Sequence, residues 1–231
     1  MTKDYLKFIK ELRIKKDLAQ AEIAEKIGIS RSSYISFEQG KTELNMTEAA
    51  KLADILGVSL EEMKSGLKPN YNKYKQMILA YLRADQDEDG KIPKTKLAKL
   101  LYLADFAWFY KYQESMSGMT YRKFAYGPVS DTYLSLIEEM EVNGELNITQ
   151  VLREDYHMYE ITETRASQKI KLNLLSREEK ALVKTIWKKW QTSDTNEIVR
   201  FTQNQLPFTL AEDNGRLSYR AILKEEVAHI Y

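Results

Sequence analysis

The stretch AQAEIAEKIGISRSSYISFEQG, near the start of the chain, constrains the fold more than any other segment. It reads as two short helices joined by a tight turn, with the first helix predicted at Gln20–Ile27 and the turn at Gly28. The second helix is predicted to follow the N-cap Ser30 and to run to about Glu38, where Gly40 ends it. Apolar residues recur at helical spacing across both helices and form the predicted inward set: Ile23, Ala24, Ile27, Ile29, Tyr34 and Phe37.

The outer face of the second predicted helix carries Arg31, Ser32 and Ser36. These side chains are short or forked hydrogen-bonding groups, which suit the edges of bases in a DNA major groove. Ile35 lies among them, and it either contacts a thymine methyl group or is a tolerated exposed apolar residue. The pattern therefore predicts a helical pair that binds DNA.

The pattern continues on both sides and resembles the helix-turn-helix domain of the phage-repressor class, the XRE or Cro/repressor family. The resemblance covers about residues 6–66, with LRIKK before the helical pair, EQGK at its end and MTEAAKLADILGVSLEEM after it. The tail resembles the family's fourth and fifth helices, with Gly57 as the stop and Ser59 as the next cap. The resemblance implies a five-helix domain that binds operator DNA as a homodimer. The alternative is a five-helix bundle used only for protein contacts.

The resemblance also implies roles for individual residues. Gln20 resembles the residue that holds a phosphate, and Gln39 and Lys41 resemble backbone anchors beyond the recognition helix. The base-reading positions, with one neighbour, are Arg31, Ser32, Ser36 and Ser33.

Two further positions concern stability rather than DNA. Arg13 and Glu38 match a pair that forms an internal salt bridge in several phage repressors, and loss of one partner would leave the other charge stranded. Ala19 departs from the family's usual Thr or Asn, so the first helix of the pair is expected to lack a side-chain cap.

Composition excludes several classes of protein. Hydrophobic residues make up 43% and charged residues 30% of the 231, which is typical of a globular chain. The formal net charge is +1, and the first 66 residues hold eleven Lys or Arg against eleven Asp or Glu, so any DNA-facing positive patch is local. Cysteine is absent, which excludes disulfides and thiolate metal sites. Neither a membrane span nor a signal peptide is recognisable, so we expect a cytoplasmic protein.

A domain boundary is predicted near SGLKPNY, where Gly66 and Pro69 break helical continuity. We assign residues 1–66 to the DNA-binding domain, 67–71 to a linker and 72–231 to a second domain. The second domain is predicted to be mostly helical with a small antiparallel sheet, which makes the chain mainly α overall. Its predicted elements are helices at Tyr71–Ala84, Lys94–Tyr112, Ser130–Val142, Ser176–Gln191, Thr195–Gln205 and Tyr219–His229, and a β-hairpin in LNITQVLREDYHMYEITE.

Two motifs in the second domain resemble the Panacea domain, also known as the SocA-like antitoxin domain. They are KLAKLLYLAD at Lys96–Asp105 and YGPV at Tyr126–Val129, which is predicted to be a turn that leads into the next helix. The resemblance implies a toxin-neutralising partner domain, and with the domain before it the chain resembles the antitoxin of a type II toxin–antitoxin system. One departure lies at Phe201–Asn204, where many relatives are expected to carry a histidine.

A rigid loop bearing tyrosine suits partner recognition, so Tyr126, Gly127 and Pro128 are the candidate partner-binding residues. The alternative is that all three only hold the fold. For Tyr102, Trp108 and one of the two late tryptophans, a place in the core is the favoured interpretation.

Other signals carry little weight. Residues from Asp85 to Gly90 copy the opening of a calcium-binding EF-hand loop, but its twelfth position is Lys96 where a bidentate Glu is required, which favours a solvated turn. His157 and His229 lack the spacing of a metal or triad motif. No nucleotide-binding or hydrolase motif is present, so we expect no catalytic site, no cofactor and no metal.

These observations favour a DNA-binding antitoxin that represses its own operon and neutralises a toxin encoded beside it. The alternative is a phage or chromosomal transcriptional regulator whose C-terminal domain senses a ligand or only dimerises. The expected partners are double-stranded operator DNA, the cognate toxin and a second copy of the chain.

Overall fold

The computed structural model describes residues 4–57, 60, 63, 68–84, 90–153 and 156–231. The chain divides into two compact units, Met1–Lys68 and Pro69–Tyr231, and each is described by itself. The predicted cap Ser59, the acidic loop at 85–89 and the hairpin turn at 154–155 lie outside the described residues. In the part of the chain that the structure describes, no helix is both long enough and apolar enough to cross a membrane.

The described residues of the first unit form helices that include the predicted helical pair with its predicted bounds. The helices are α1 (Asp4–Lys15), α2 (Gln20–Ile27), α3 (Arg31–Glu38) and α4 (Met46–Leu56), and Leu60 and Met63 are also helical. Gly28 ends α2 and Gly57 ends α4 in the left-handed region, with φ of 85° and 65°. Ala19 makes no side-chain cap, as expected, whereas Asn45 and Glu48 form a capping box at α4.

The core of the first unit contains most of the predicted inward set. Ile23, Ala24, Ile27, Tyr34 and Phe37 are all buried against residues of α1 and α4, and Ile29 is half-buried at the edge. Burial of these apolar faces is what holds the short helices together, because helices of this length are marginal on their own.

The second unit mixes helices with small antiparallel sheets, which confirms the predicted fold class. Its helices are α5 (Tyr71–Leu82), α6 (Lys94–Tyr112), α7 (Tyr133–Val142), α8 (Arg177–Trp190), α9 (Thr195–Asn204) and α10 (Leu206–Thr209). Its strands are β1 (Ile92–Pro93), β2 (Tyr121–Phe124), β3 (Gly127–Ser130), β4 (Leu146–Arg153) and β5 (Tyr156–Glu163). One sheet has the order β1-β5-β4, in which β4 and β5 form the predicted hairpin, and β2 pairs with β3 in the other.

Helix α6 is the centre of the second unit. Every residue from Lys96 to Ala107 is buried, so the helix has no solvent face over this stretch. The helix is enclosed because elements including α5, α8, α9 and β3 pack around it. Tyr102, Trp187 and Trp190 are buried, whereas Trp108 remains half-buried and stacks on Tyr112.

Two predicted elements were wrong, and the first of them is the YGPV turn. Gly127–Ser130 is strand β3 rather than a turn, and the turn of the β2–β3 hairpin is Ala125–Tyr126. Gly127 has φ 89°, the conformation that a short hairpin turn needs where the chain re-enters the strand. The helix after it consequently starts at Tyr133 instead of Ser130.

The predicted C-terminal α-helix is also absent from the described residues. Its place is taken by two 3₁₀ helices, Tyr219–Lys224 and Val227–His229. Glu225 between them is extended, and its carboxylate accepts a hydrogen bond from the backbone N–H of Leu206. This tertiary contact interrupts a segment whose local sequence favours a continuous helix.

Candidate nucleic-acid and partner interfaces

The N-terminal end of α3 presents polar groups to solvent. Arg31, Ser32 and Ser33 are exposed, and Ser36 one turn later is half-buried. Ser30 caps the helix by accepting from the Ser33 backbone N–H at 3.1 Å, and its hydroxyl also lies 2.8 Å from the hydroxyls of both Ser32 and Ser33. The cap therefore orders the hydroxyls of Ser32 and Ser33 in the first turn of α3, the turn that also carries the exposed Arg31.

Two further candidate DNA contacts lie beyond the C-terminal end of α3. Gln39 and Lys41 are exposed immediately after α3, separated by Gly40 with φ 71°. A Cβ atom at Gly40 would lie only 3.0 Å from Leu6 Cδ1, so this bend requires glycine both for its conformation and for its close approach to α1. Ile35, in the middle of α3, is half-buried.

A network of three side chains fastens α1, α2 and α3 together. Arg13 Nε donates to Glu38 Oε1 at 2.7 Å, and Gln20 Nε2 donates to Glu38 Oε2 at 2.8 Å. Arg13 also donates through Nη1 to the carbonyl oxygen of Leu18 at 2.9 Å, in the loop before α2. The amide group of Gln20 keeps a second N–H, so the pairing with Glu38 is compatible with a phosphate contact.

The charges in this network are nearly buried. The exposed fraction is 12% for the Arg13 side chain and 4% for that of Glu38. Burial raises the pKa of Glu38, but the hydrogen bonds from Arg13 and Gln20 and the charge of Arg13 outweigh it and leave the pKa below its ordinary value. The hydrogen bond to Glu38 raises the pKa of Arg13. Both groups are thus ionised in the folded unit.

In the second unit, the charged residues of KLAKLLYLAD point inward. Lys96 Nζ donates to the carbonyl oxygens of Gln191 at 3.0 Å and of Ser193 at 2.6 Å, just past the end of α8, where a positive charge is favourable. Asp105 is fully buried and accepts from Ser117 N at 2.7 Å and Tyr121 Oη at 2.8 Å. Burial raises the pKa of Asp105, and the hydrogen bonds from Ser117 and Tyr121 counteract that rise only in part.

Lys99 links this helix to the second motif. Its ammonium group is buried and donates to the carbonyl oxygen of Pro128 in β3 at 2.9 Å, and burial lowers the pKa of Lys99 to about 7. A Cβ atom at Gly127 would lie 2.9 Å from Lys99 Cε and 3.3 Å from Thr202 Oγ1. Glycine is needed at this position because the lysine side chain runs directly against the strand backbone.

The three candidate partner-binding residues therefore occupy different environments. Gly127 and Pro128 are buried over Lys99, whereas Tyr126 is 76% exposed at the tip of the hairpin. The tip is held on its other side by Gln203, whose Nε2 donates to the carbonyl oxygen of Ala125 at 2.9 Å. Gln203 lies in the Phe201–Asn204 segment, where the sequence departs from the resemblance.

Comparison with known proteins finds a different family in each of the two units. Residues 9–63 match the helix-turn-helix family model. Over 81 residues the chain is 32% identical to the cryptic phage CTXphi transcriptional repressor RstR of Vibrio cholerae, an alignment that covers 35% of this chain and 73% of that repressor. The chain belongs to the helix-turn-helix family. Residues 97–207 match the model described as Antitoxin SocA-like, Panacea domain, so a Panacea domain follows the helix-turn-helix domain.

Other relatives match the helix-turn-helix domain alone or little more. The SPbeta prophage-derived HTH-type transcriptional regulator YonR of Bacillus subtilis is 29% identical over 100 residues, which cover 41% of this chain and 86% of that protein. The HTH-type transcriptional regulator MJ0272 of Methanocaldococcus jannaschii is 34% identical over 61 residues, covering 26% of this chain and 88% of that one. No solved structure matches the chain.

Several residues important to the Panacea domain could not be assigned a role from the sequence. Lys96, Lys99 and Asp105 were recognised only as letters of a motif, and Gln203 only as a departure from the family. The sequence did contain a signal for the buried charges, which are lysine and aspartate residues inside an apolar helix pattern. Such residues are rarely buried unless a specific partner holds them.

Proposed function

We propose that this chain is an antitoxin that represses its own operon through the helix-turn-helix domain and neutralises an adjacently encoded toxin through the Panacea domain. The observation that carries the proposal is the presence, in one chain, of a recognition helix with exposed polar groups and an antitoxin-family domain with an exposed tyrosine on a rigid hairpin. Direct protein binding requires no catalytic group, and an aromatic side chain on a turn with a held backbone loses little entropy on binding.

The DNA-binding half of the proposal assigns roles to the exposed groups on and after α3. Arg31, Ser32 and Ser36 would contact base edges, with Ser33 beside them. Gln20, Gln39 and Lys41 would contact the phosphate backbone and set the register. A modest local charge implies that a single domain binds DNA weakly, so we propose that a homodimer binds a palindromic operator.

The decisive experiment separates the two activities within the full-length chain. Cells that express the neighbouring reading frame should be protected by the wild type and by an Arg31→Ala/Ser36→Ala double variant, which should no longer bind the operator. Tyr126→Ala should do the reverse, with operator binding retained and protection lost. Tyr71→Ala, which removes another half-exposed tyrosine of the same domain at the start of α5, is the matched control.

A second candidate function is a transcriptional regulator whose C-terminal domain senses a ligand. A cleft of about 480 Å³ between the end of α6, helix α8 and the C-terminal segment favours it, since Trp108, Tyr112 and Leu182 give it an aromatic and apolar lining. The relatives named as transcriptional repressors or regulators agree with it as well. If the wild type protects cells from no neighbouring gene product, this regulator replaces the antitoxin as the favoured function.

A further inference from the structure

The exposed Tyr126 forms one wall of a groove in the Panacea domain. The groove has a volume of about 830 Å³ and is bounded by strand β5, the start of α6, the β2–β3 turn and the start of α9. Its lining includes Lys94, Tyr126, His157, Tyr159 and Thr195. The groove therefore brings the candidate partner-binding turn next to a strand of the other sheet.

The floor of the groove is the edge of a strand. Strand β1 pairs with β5 only at Ile161 and Glu160, after which the chain turns into α6. On the edge of β5 that β1 occupies, opposite to β4, no described strand lies beside residues 157–159.

The backbone of β5 faces the groove with a defined alternation. Ile148 of β4, which is paired with Ile161, donates its N–H to the carboxylate of Glu141 at 3.1 Å. We infer that this N–H points away from β5 and that the pair is one without ladder hydrogen bonds. Backbone groups alternate sides along an antiparallel strand, so those of Ile161 face β1, and those of Tyr159 and His157 face the same side. A strand edge of this kind is a template for an added strand.

The walls of the groove suit a side chain from such a strand. Tyr126 is 76% exposed and Tyr159 is 46% exposed, and both line the groove, so two aromatic rings are available to an occupant. The Ala125 and Pro128 carbonyls that flank Tyr126 are held by Gln203 and Lys99, so the ring is presented by an ordered backbone. Binding there would lose little conformational entropy.

The charge of the groove favours an acidic occupant. Lys94 lies at its rim with its ammonium group 5.6 Å from the centre of the Tyr159 ring, and Lys96 lies in the wall behind. The carboxylate in the lining, Asp194, already accepts from the backbone N–H of Glu197 as the cap of α9. Among the described residues, the lining thus carries Lys94 and Lys96 against Asp194. Because Lys96 is buried and its ammonium group donates to two carbonyl oxygens, Lys94 is the cation that an occupant would meet.

We propose that this groove binds an extended, acidic segment of the partner protein, which adds a strand along β5 and places a side chain between Tyr126 and Tyr159. The proposal rests on the proposed antitoxin function, because the partner is the toxin encoded next door. Main-chain hydrogen bonds to β5 would supply affinity, and Lys94 would select for carboxylates on the incoming strand.

The test uses the full-length chain and the purified product of the neighbouring reading frame. Amide hydrogen exchange on the complex should show new protection at His157 and Tyr159, whose backbone groups face the groove, and at the 125–127 turn. Lys94→Glu and Tyr159→Ala should each weaken binding by about tenfold or more, while Lys94→Arg should bind like the wild type. Tyr71→Ala is again the control, because Tyr71 is as exposed as Tyr159, at 46%, and is not part of the groove lining.

A second arm does not depend on the neighbouring gene. The full-length chain is used to select from a displayed library of random peptides of strand length. Enrichment of acidic peptides whose binding is lost in Lys94→Glu supports the groove, and enrichment without an acidic preference, or without loss in that variant, contradicts it.

The outcomes separate this inference from the function on which it rests. If a complex forms without protection of residues 157–159, and Lys94→Glu leaves it intact, the proposed binding in the groove is wrong and the antitoxin function stands. If no complex forms, the proposed antitoxin function is wrong. The peptide selection then tests by itself whether the groove binds acidic peptides. Binding of a random-sequence oligonucleotide that Lys94→Glu abolishes would assign the groove to nucleic acid and overturn the proposal.

Discussion

The two domains use their most recognisable charged residues in opposite ways. In the helix-turn-helix domain, Arg31 and Lys41 lie on the surface. In the Panacea domain, Lys99 and Asp105 are fully buried and hold neighbouring segments in place. The charged residues of a motif therefore lie on the surface in one domain and form an internal framework in the other. What distinguishes them is the pattern around the charges, amphipathic in α3 and apolar on every side in α6.

The largest effect is expected for Asp105→Ala. This change removes the acceptor of donors in a buried site that include Ser117 N, Ser115 Oγ and Tyr121 Oη, which lie 2.7–2.9 Å away. Unsatisfied buried donors should destabilise the Panacea domain by about 3–5 kcal/mol, measured by thermal or urea unfolding of the full chain. Asp213→Ala, at a carboxylate that is 91% exposed, should leave unfolding unchanged. Similar unfolding of both variants would contradict a framework role for Asp105.

The Arg13–Glu38 pair is the buried charge pair of the first domain, which otherwise carries its motif charges on the surface. Glu38→Ala tests whether this pair stabilises the domain. The change strands the buried guanidinium of Arg13 and releases Gln20, so a loss of about 3 kcal/mol is expected. Because the pKa of Glu38 is lowered, the stabilisation is present at neutral pH and disappears as the pH falls through that pKa. Arg13→Met/Glu38→Leu should unfold closer to the wild type than either single variant. Wild-type unfolding of Glu38→Ala would mean that the pair does not stabilise the domain.

The pH dependence of the free energy of unfolding tests whether Lys99 is buried in the Panacea domain, in contrast to the exposed lysines of the molecule. Its folded pKa of about 7 lies below the value of an unfolded lysine, so the unfolded chain binds more protons between the two values. The free energy of unfolding should therefore rise by about 2 kcal/mol from about pH 7 to about pH 9. Lys99→Met should flatten this rise, and Lys184→Met, at an exposed lysine of α8, should keep it. An unchanged slope in Lys99→Met would show that the group is not the one titrating.

The smallest effect on folding is expected on α3, where the charge faces outward. Arg31→Ala should leave unfolding unchanged and cost about 1–3 kcal/mol of discrimination at one base pair of a selected operator. Lys41→Ala should weaken binding to all sequences about equally and reduce the salt dependence. Equal operator binding by the wild type and an Arg31/Ser36 double variant would remove α3 from the DNA interface.

Local signals predicted much of this molecule. The bounds of α2, α3 and α6 follow from apolar spacing and short-range hydrogen bonds, and the structure agrees with each. Such features involve residues within about one or two helical turns of each other, so the sequence contains the information directly.

The errors lie where distant segments meet. The YGPV segment was predicted to be a turn because Gly and Pro favour turns, yet β2 lies beside it and makes it a strand. The C-terminal helix is interrupted at Glu225, whose carboxylate contacts Leu206 far from it in the chain. Neither outcome is visible in the local sequence, because each depends on a partner that only the fold brings close.

By itself, the sequence determined the helical pair, the order of the two domains and the motifs that identify their families, since these rest on spacing along the chain. Only the tertiary structure decided that Lys99 supports Gly127 and Pro128 from below while Tyr126 stays exposed. It also decided that residues 157–159 border a groove with Tyr126 and Lys94. The reason is that burial and charge neutralisation depend on which segments pack against each other, and these are separated by tens of residues in the chain.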